Sequence, residues 1–326
     1  MHSTIGKWIA FRRGTRYDDF TGGLKGGVKS LLFSIFRLIL LTGISYMILA
    51  PVIGIVSSSF FSNSDAYNPM VFTIPMAPTL ERYTRAIARM DYLHTVINTI
   101  LYSLSLTVIQ VLVCAGVGYG FARFSFPLKK VLFACVVVMI VLPSHTIMLP
   151  LYIIFRNFDP LGLFSLLHLD TNLMGTPWPA FIMTILGCGL RSGLYIYIFT
   201  QFFRGLPREI EEAAFVDGAG TLYTFLRIML ANAAPAVVTV AVFSLVWQYN
   251  DTFFGNLFRI GSDILVGKKL SSLQVNIVTV DKILDTAIQQ LYVDAGVVLV
   301  MLPVVILYLV LQKRFIEGIE RSGIVG

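Results

Sequence analysis

Residues 131–142 read VLFACVVVMIVL, an unbroken run of apolar side chains. A strand of a membrane barrel would alternate apolar and polar residues, and this run does not alternate. Inside lipid every backbone amide and carbonyl must be bonded within the chain, so the run predicts a membrane-spanning helix. The apolar character continues to about residue 155, which supplies the roughly 20 residues needed to cross about 30 Å of hydrocarbon.

Five further stretches have the same length and apolar character. Their approximate bounds are 31–56, 93–122, 178–203, 233–256 and 291–313, beside the stretch 131–155. The composition agrees, because 56% of the residues are hydrophobic and only 13% are charged, against about 25% charged residues in soluble proteins. We therefore predict an all-α membrane protein with six transmembrane helices over 31–313, flanked by tails over 1–30 and 314–326.

The net charge of +7 reflects where the basic residues lie. Lys and Arg are more frequent on one side of the predicted helices, in the N-terminal segment, the turn at 123–130 and the segment at 204–232. Because positively charged loops remain on the cytoplasmic side, both termini are predicted to be cytoplasmic in a multi-pass membrane protein. Topology accounts for the charge, so no nucleic-acid partner is predicted.

The sequence contains no recognisable catalytic or cofactor-binding motif. The nearest approach to a phosphate-binding loop is GGLKGGVKS at 22–30, where Val28 separates Gly27 from Lys29. That loop requires contiguous Gly-Lys-Ser/Thr, so that the lysine reaches the phosphates that the backbone amides cradle. His, Cys, Asp and Glu residues show no metal-ligand spacing either. We predict a chain without catalytic residues, bound metal or cofactor, so ATP, if used, is hydrolysed elsewhere.

The segment at 202–236, FFRGLPREIEEAAFVDGAGTLYTFLRIMLANAAPA, predicts a short cytoplasmic amphipathic helix over 207–219. Gly218 supplies a stop, because glycine accepts the left-handed conformation that follows many helices. One face combines small or apolar side chains at helical spacing, namely Ile210, Ala213 and Ala214. A helix lying on the lipid surface usually carries large apolar residues and a basic face. This helix is acidic and rich in alanine, which favours a protein partner.

Glu212-Ala213-Ala214 followed by Asp217-Gly218-Ala219 resembles the EAA loop of bacterial ABC importer permeases. The sequence departs from that family at Leu230, which Ala231 follows where the family usually has proline. Three other segments also resemble the family. They are ARFSFPLKK at 122–130, Trp247 with Asn250 and Asp251, and RFIEGIERSGIVG at 314–326. The last segment is similar to the ending of the smaller permease of maltose-type carbohydrate importers, and the resemblance covers most of residues 80–326.

The resemblance implies a type I ABC importer permease fold with a cytoplasmic coupling helix, in a bacterial inner or plasma membrane. It implies a heterodimer with a second homologous permease, two ATP-binding subunits that bind ATP and Mg, and an extracytoplasmic solute-binding protein. The implied cargo is a mono- or oligosaccharide, with an acidic one kept open. The residues implied for ATPase coupling are Glu212, Ala213, Ala214, Asp217, Gly218, Glu317 and Gly318.

Three residues are candidates for the substrate pathway. Arg191 lies well inside the fourth apolar stretch, where ionisable side chains usually face a cavity or a partner. Its alternative role is to cap a broken helix within the stretch GCGLRSG. Asn250 and Asp251 lie toward the outer part of the fifth stretch, and they line a cavity or form bonds between helices.

Two rival functions remain open at this point. A proton- or sodium-coupled carrier would place carboxylates near the middle of the membrane, whereas every Asp and Glu here lies in a loop, a tail or toward a helix end. An ABC importer permease for a non-sugar solute would share all the motifs described above.

Overall fold

The computed structural model describes the backbone of residues 23–168 and 170–323, with side chains for 31–168, 170–310 and 312. This part of the chain contains helices and no strand. The principal helices are α1 Gly23–Ser58, α2 Asn63–Ala66, α3 Glu81–Met90, α4 Tyr92–Arg123, α5 Lys129–Val141, α6 Met148–Arg156, α7 Leu163–Leu166, α8 Trp178–Ile185, α9 Ser192–Gly205, α10 Glu209–Val216, α11 Thr221–Asn232, α12 Ala234–Tyr249, α13 Phe253–Leu257, α14 Val266–Thr279 and α15 Thr286–Gly323.

The chain divides into two compact units, Met1–Ser57 and Ser58–Gly326. Helix α1 makes up the described part of the first unit, and Pro51 lies inside it. Its apolar side chains are largely exposed, which suits a helix whose surroundings are lipid. Residues 1–22 of the predicted tail 1–30 lie outside the described residues, and residues 23–30 already belong to the helix.

Helix α4 runs through the centre of the second unit. It contributes to all three buried apolar clusters, with Val96 in the first, Leu106 in the second and Cys114 in the third. Helices α9 and α12 pack along it. The packing is close at Gly118, because a Cβ atom there would lie 2.6 Å from Phe199 Cβ. The absence of a side chain at this position therefore allows α4 and α9 to approach.

Four helical stretches in the described part of the chain are long and apolar enough to cross a membrane. They are Leu31–Ser58, Tyr92–Arg123, Ser144–Leu166 and Thr286–Val310. A fifth is formed if α11 and α12, which meet at an angle of 81°, are counted as one broken span. The all-helical membrane fold is thus confirmed, while the count of six spans stays a prediction.

The predicted continuous helix over 131–155 is wrong, because the structure divides it into α5 and α6. Leu142 takes an extended conformation, with φ −67° and ψ 123°, directly before Pro143. Proline disfavours helical backbone in the residue before it, which ends α5 at Val141. A 3-10 turn over Ser144–Ile147 then leads into α6.

The predicted helix over 178–203 is also interrupted, between α8 and α9. Gly187 and Arg191 both have left-handed backbones, with φ of 72° and 61°, and such residues stop a right-handed helix. The predicted helix over 233–256 ends at Tyr249. The last helix exceeds its predicted range of 291–313, since α15 includes most of the predicted tail.

A small set of helices outside the membrane-spanning segments packs against α15. Arg82 of α3 is buried, and its guanidinium lies over the ring of Tyr292 and donates a hydrogen bond of 2.7 Å to the tyrosine hydroxyl. Arg89 of the same helix donates two hydrogen bonds to the carboxylate of Asp281, at 3.0 and 2.5 Å. These contacts fix α3 to α15 and to the connection between α14 and α15.

Candidate coupling segment and membrane-interior site

Helix α10 is the cytoplasmic helix predicted over 207–219, and it is shorter at both ends. It ends as predicted at a glycine, since Gly218 has φ of 82°. The amide of Gly218 donates to the carbonyl of Phe215 at 3.0 Å, and the amide of Ala219 donates to that of Ala214 at 2.9 Å. This pair of bonds is the Schellman motif, which satisfies carbonyls that the last helical turn leaves open.

A buried ion pair attaches α10 to the end of α4. Arg123 Nε lies 2.9 Å from Glu211 Oε1, and the two side chains are only 6% and 10% exposed. Arg123 Nη2 also donates a hydrogen bond of 2.8 Å to the carbonyl of Leu206, just before α10. One arginine therefore holds both the helix and the chain that enters it. The ion pair of Glu211 could not be predicted from sequence, because three glutamates lie in the first turn of α10 and any of them could have formed it.

The residues predicted for ATPase coupling divide into an outward and an inward group. Glu212, Ala213, Asp217 and Gly218 are exposed. Ala214 is 5% exposed and faces the interior, three positions after Glu211 on the same face of the helix. Ala214 therefore packs mainly within the chain, although it also lines the groove beside α10, and its role in ATPase coupling stays a prediction. Glu317 and Gly318 lie beyond the residues whose side chains the structure describes.

Large apolar side chains surround the outward residues of α10. They are Phe215, Val216, Leu222 and Tyr223, which are 43–87% exposed. Beside them lies an open groove of about 620 Å³, and its lining includes Asp217, Gly218 and Tyr223. An apolar patch of this kind on an otherwise charged segment is typical of a surface that a protein partner covers.

Helix α11 leads from α10 into α12 and is not a regular helix. Residues Thr224–Met229 form a π-helical turn, and the chain then bends by 81° at Ala233. Pro235 lies in the first turn of α12, where its missing amide costs no hydrogen bond. Pro235 therefore comes after the bend. Ala231, which occupies the position where the resembled family usually has proline, lies in α11 before the bend.

Arg191 lies at the break between α8 and α9. Arg191 has a left-handed backbone and directly precedes the first residue of α9. Capping of a broken helix, one of its two predicted roles, requires this position. Its side chain is exposed, and the guanidinium carbon lies 4.4 Å from the centre of the Trp247 ring. Among the described residues, no carboxylate lies within 4.0 Å of this guanidinium.

Gln110 organises the buried surroundings of this break. Its side chain is fully buried, and its amide nitrogen donates to the Leu190 carbonyl at 2.6 Å and to Ser192 Oγ at 3.0 Å. Its amide oxygen accepts bonds from Ser244 and Gln248 of α12, at 2.7 and 3.2 Å. One side chain therefore joins α4, α9 and α12. An amide within the apolar stretch 93–122 was a signal that could have predicted this role.

Asn250 and Asp251 lie between the end of α12 and the start of α13. Asn250 Nδ2 donates to the carbonyl of Val246 at 2.9 Å, within its own helix. Asp251 Oδ1 accepts bonds from the amides of Phe253 and Phe254, at 3.0 and 3.2 Å, as helix-capping carboxylates do. In these contacts both side chains bond to their own segment rather than to a neighbouring helix.

The family model described as "Binding-protein-dependent transport system inner membrane component" matches residues 112–321. The trehalose transport system permease protein SugB of Mycobacterium tuberculosis is 29% identical, over 85% of this chain and 93% of that protein. The maltodextrin transport system permease protein MdxG of Bacillus subtilis is 25% identical, over 93% and 100%.

A solved structure has the same fold. It is a bacterial ABC transporter involved in the import of the acidic polysaccharide alginate, and one of its chains superposes with a TM-score of 0.70. The match covers 88% of this chain and 98% of that chain, at 20% sequence identity. At this identity the likeness shows the fold.

Proposed function

This chain belongs to the family of binding-protein-dependent transport system inner membrane components, the non-catalytic permease subunits of ABC importers, and from that membership we propose that it imports a carbohydrate. ATP bound with Mg on two separate subunits drives the import, and an extracytoplasmic binding protein delivers the sugar. A second, homologous permease completes the pathway. Both termini lie in the cytoplasm, as the distribution of basic residues favours.

The outward face of α10 is the observation that carries this proposal. Its exposed apolar side chains and the Gly218 turn form a surface, and the Arg123–Glu211 ion pair holds that surface against α4. A helix fixed in this way passes a displacement of its outer face to the membrane helices. We assign Glu212, Ala213, Asp217 and Gly218 to contact with the ATPase, with Ala214 as the packed side of the same helix.

A carbohydrate cargo is supported by the relatives named for trehalose and maltodextrin, which match 85% and 93% of this chain. A non-sugar solute is the alternative, and it would require the same coupling surface. Arg191, Asn250 and Asp251 are assigned to the pathway. Arg191 is the strongest member, because it combines charge, exposure and a position inside an apolar stretch.

Affinity purification of the tagged chain in mild detergent tests the assembly. We expect a second permease and an ATPase to co-purify. Val216 is 87% exposed on α10, so Val216→Asp should remove the ATPase and retain the second permease. Leu128→Asp is the control, since Leu128 is 71% exposed in the turn between α4 and α5, and both subunits should remain. Wild-type recovery of the ATPase with Val216→Asp would contradict the proposed docking face.

A further inference from the structure

Arg191 and Trp247 form an exposed pair at the same depth in the protein. Helix α9 has 14 residues and begins directly after Arg191, so the arginine lies about 20 Å from the cytoplasmic end of that helix. Trp247 lies near the far end of α12, which has 16 residues and starts from the same side. Gln110 lies near the middle of the membrane-spanning helix Tyr92–Arg123 and bonds to both neighbours of Arg191 and to Gln248. Both side chains are therefore placed within the hydrocarbon thickness of about 30 Å.

A guanidinium at this depth requires polar surroundings. Arginine remains charged in proteins, and charged side chains within a membrane face a water-filled cavity or an opposite charge. Arg191 is exposed, and no carboxylate of the described residues lies within 4.0 Å of it. Its left-handed backbone, at φ 61°, is a conformation that glycine would adopt without strain.

The surroundings hold the arginine in one orientation. Trp247 covers one face of the guanidinium at 4.4 Å, and its own ring is 43% exposed. Gln110 bonds to the residues on both sides of Arg191, through the Leu190 carbonyl and Ser192 Oγ. It also bonds to Gln248, the neighbour of Trp247. Gln110 therefore joins the two segments that carry the arginine and the tryptophan, and within the described part of the chain no hydrogen bond engages the edges of the guanidinium.

We propose that the Arg191–Trp247 pair is a binding site for the carboxylate of an acidic saccharide, so that the cargo contains uronic acid residues. The planar fork of a guanidinium matches the two oxygens of a carboxylate. Stacking on Trp247 presents that fork to the pathway before the sugar arrives, which reduces the entropy lost on binding. A neutral saccharide would leave the charge without its partner. This inference rests on the proposed function, because it requires the pathway to carry sugars.

ATP-dependent uptake by the complete importer tests the site, with two probes of equal length. The probes are a trimer of galacturonic acid and the neutral trimer maltotriose, each supplied with the binding protein. Arg191→Gln should lower uptake of the acidic trimer by about tenfold or more, as the loss of a charge-assisted pair predicts. Arg191→Lys should recover only part of it, and Trp247→Phe should be milder than Trp247→Ala.

Arg156→Gln is the matched control, because Arg156 also stacks on an aromatic ring, that of Tyr152, at 5.8 Å. It should leave uptake of both trimers unchanged. Import of maltotriose alone, or an equal loss of both trimers with Arg191→Gln in a normally assembled complex, would overturn the acidic cargo and leave the importer function intact. Import of neither trimer would overturn the carbohydrate cargo and this site together.

Discussion

Arg123 Nε and Glu211 Oε1 lie 2.9 Å apart in a contact that is almost closed to solvent. The first residue ends the central helix α4, and the second lies in the first turn of α10. An enclosed pair of charges is costly to break, since the remaining charge loses its compensation. The pair therefore connects the start of α10 to the end of α4.

The two neighbouring glutamates of α10 should respond differently to replacement. Glu211→Ala leaves Arg123 unpaired in an enclosed site, so we expect a loss of about 3 kcal/mol in the stability of the permease. Glu212 is exposed, and Glu212→Ala should leave that stability unchanged while weakening ATPase binding. Thermal unfolding in detergent, followed by size-exclusion chromatography, measures the first effect, and co-purification measures the second. Equal thermal stability of the two variants would contradict the assignment.

Helices α4 and α9 should be sensitive to a single methyl group at their closest approach. A Cβ atom on Gly118 would lie 2.6 Å from Phe199 Cβ and 3.0 Å from the Thr200 amide nitrogen. The backbone of α9 cannot move away easily, so Gly118→Ala should lower the free energy of unfolding by about 1–3 kcal/mol. Gly116→Ala on the same helix is the control, since its nearest neighbour would be 4.0 Å away. A normal melting temperature for Gly118→Ala would show that the helices are further apart.

Gln110 should prove essential to the packing of α4, α9 and α12. Gln110→Leu removes the partner of the Leu190 carbonyl, Ser244 and Gln248, and unsatisfied buried groups should cost about 2 kcal/mol. Gln201 is exposed on α9, so Gln201→Leu provides the matched control. Melting temperatures of the purified variants measure the difference. If Gln110→Leu melts like Gln201→Leu, the network does not hold these helices together.

The Arg89–Asp281 pair should make stability depend on acid pH. The guanidinium of Arg89 donates hydrogen bonds that lower the pKa of Asp281 below its ordinary value of 3.8. A lowered carboxyl pKa contributes stability above pH 3.8, and that contribution is lost as the pH falls through the lowered pKa. The melting temperature of Asp281→Asn should therefore lie below that of the wild type at neutral pH and approach it in acid. A constant difference would contradict the pair.

Much of the membrane fold could be predicted from long apolar stretches, because lipid permits few backbone conformations there. The interruptions were harder to predict. Pro143 was visible within its stretch and could have indicated the end of α5. The glycines of GCGLRSG indicated a break near Arg191, but a left-handed conformation at a non-glycine residue depends on the tertiary contacts that hold it. Gln110 supplies such contacts on both sides of Arg191.

In α10, too, some features could be predicted from residue type, whereas others depend on tertiary packing. Gly218 could be predicted as a helix stop from its residue type alone, and the structure confirms it. The roles of Glu211 and Glu212 could not be separated from sequence. Adjacent residues on a helix differ in direction by about 100°, so the rotation of α10 against α4 decides which one is enclosed. The same rotation turns Ala214 inward.

ATP-dependent sugar uptake into proteoliposomes, with the same side chain placed at two glycines, tests the central claim most directly. Gly218 has φ of 82°, whereas Gly43 lies within α1 outside the left-handed region, and both have open space around them. A valine is strained only at the first position. We predict that Gly43→Val retains ATP-driven uptake and that Gly218→Val loses it while still inserting in the membrane. Uptake without ATP, or equal uptake by the two variants, would contradict coupling through this segment.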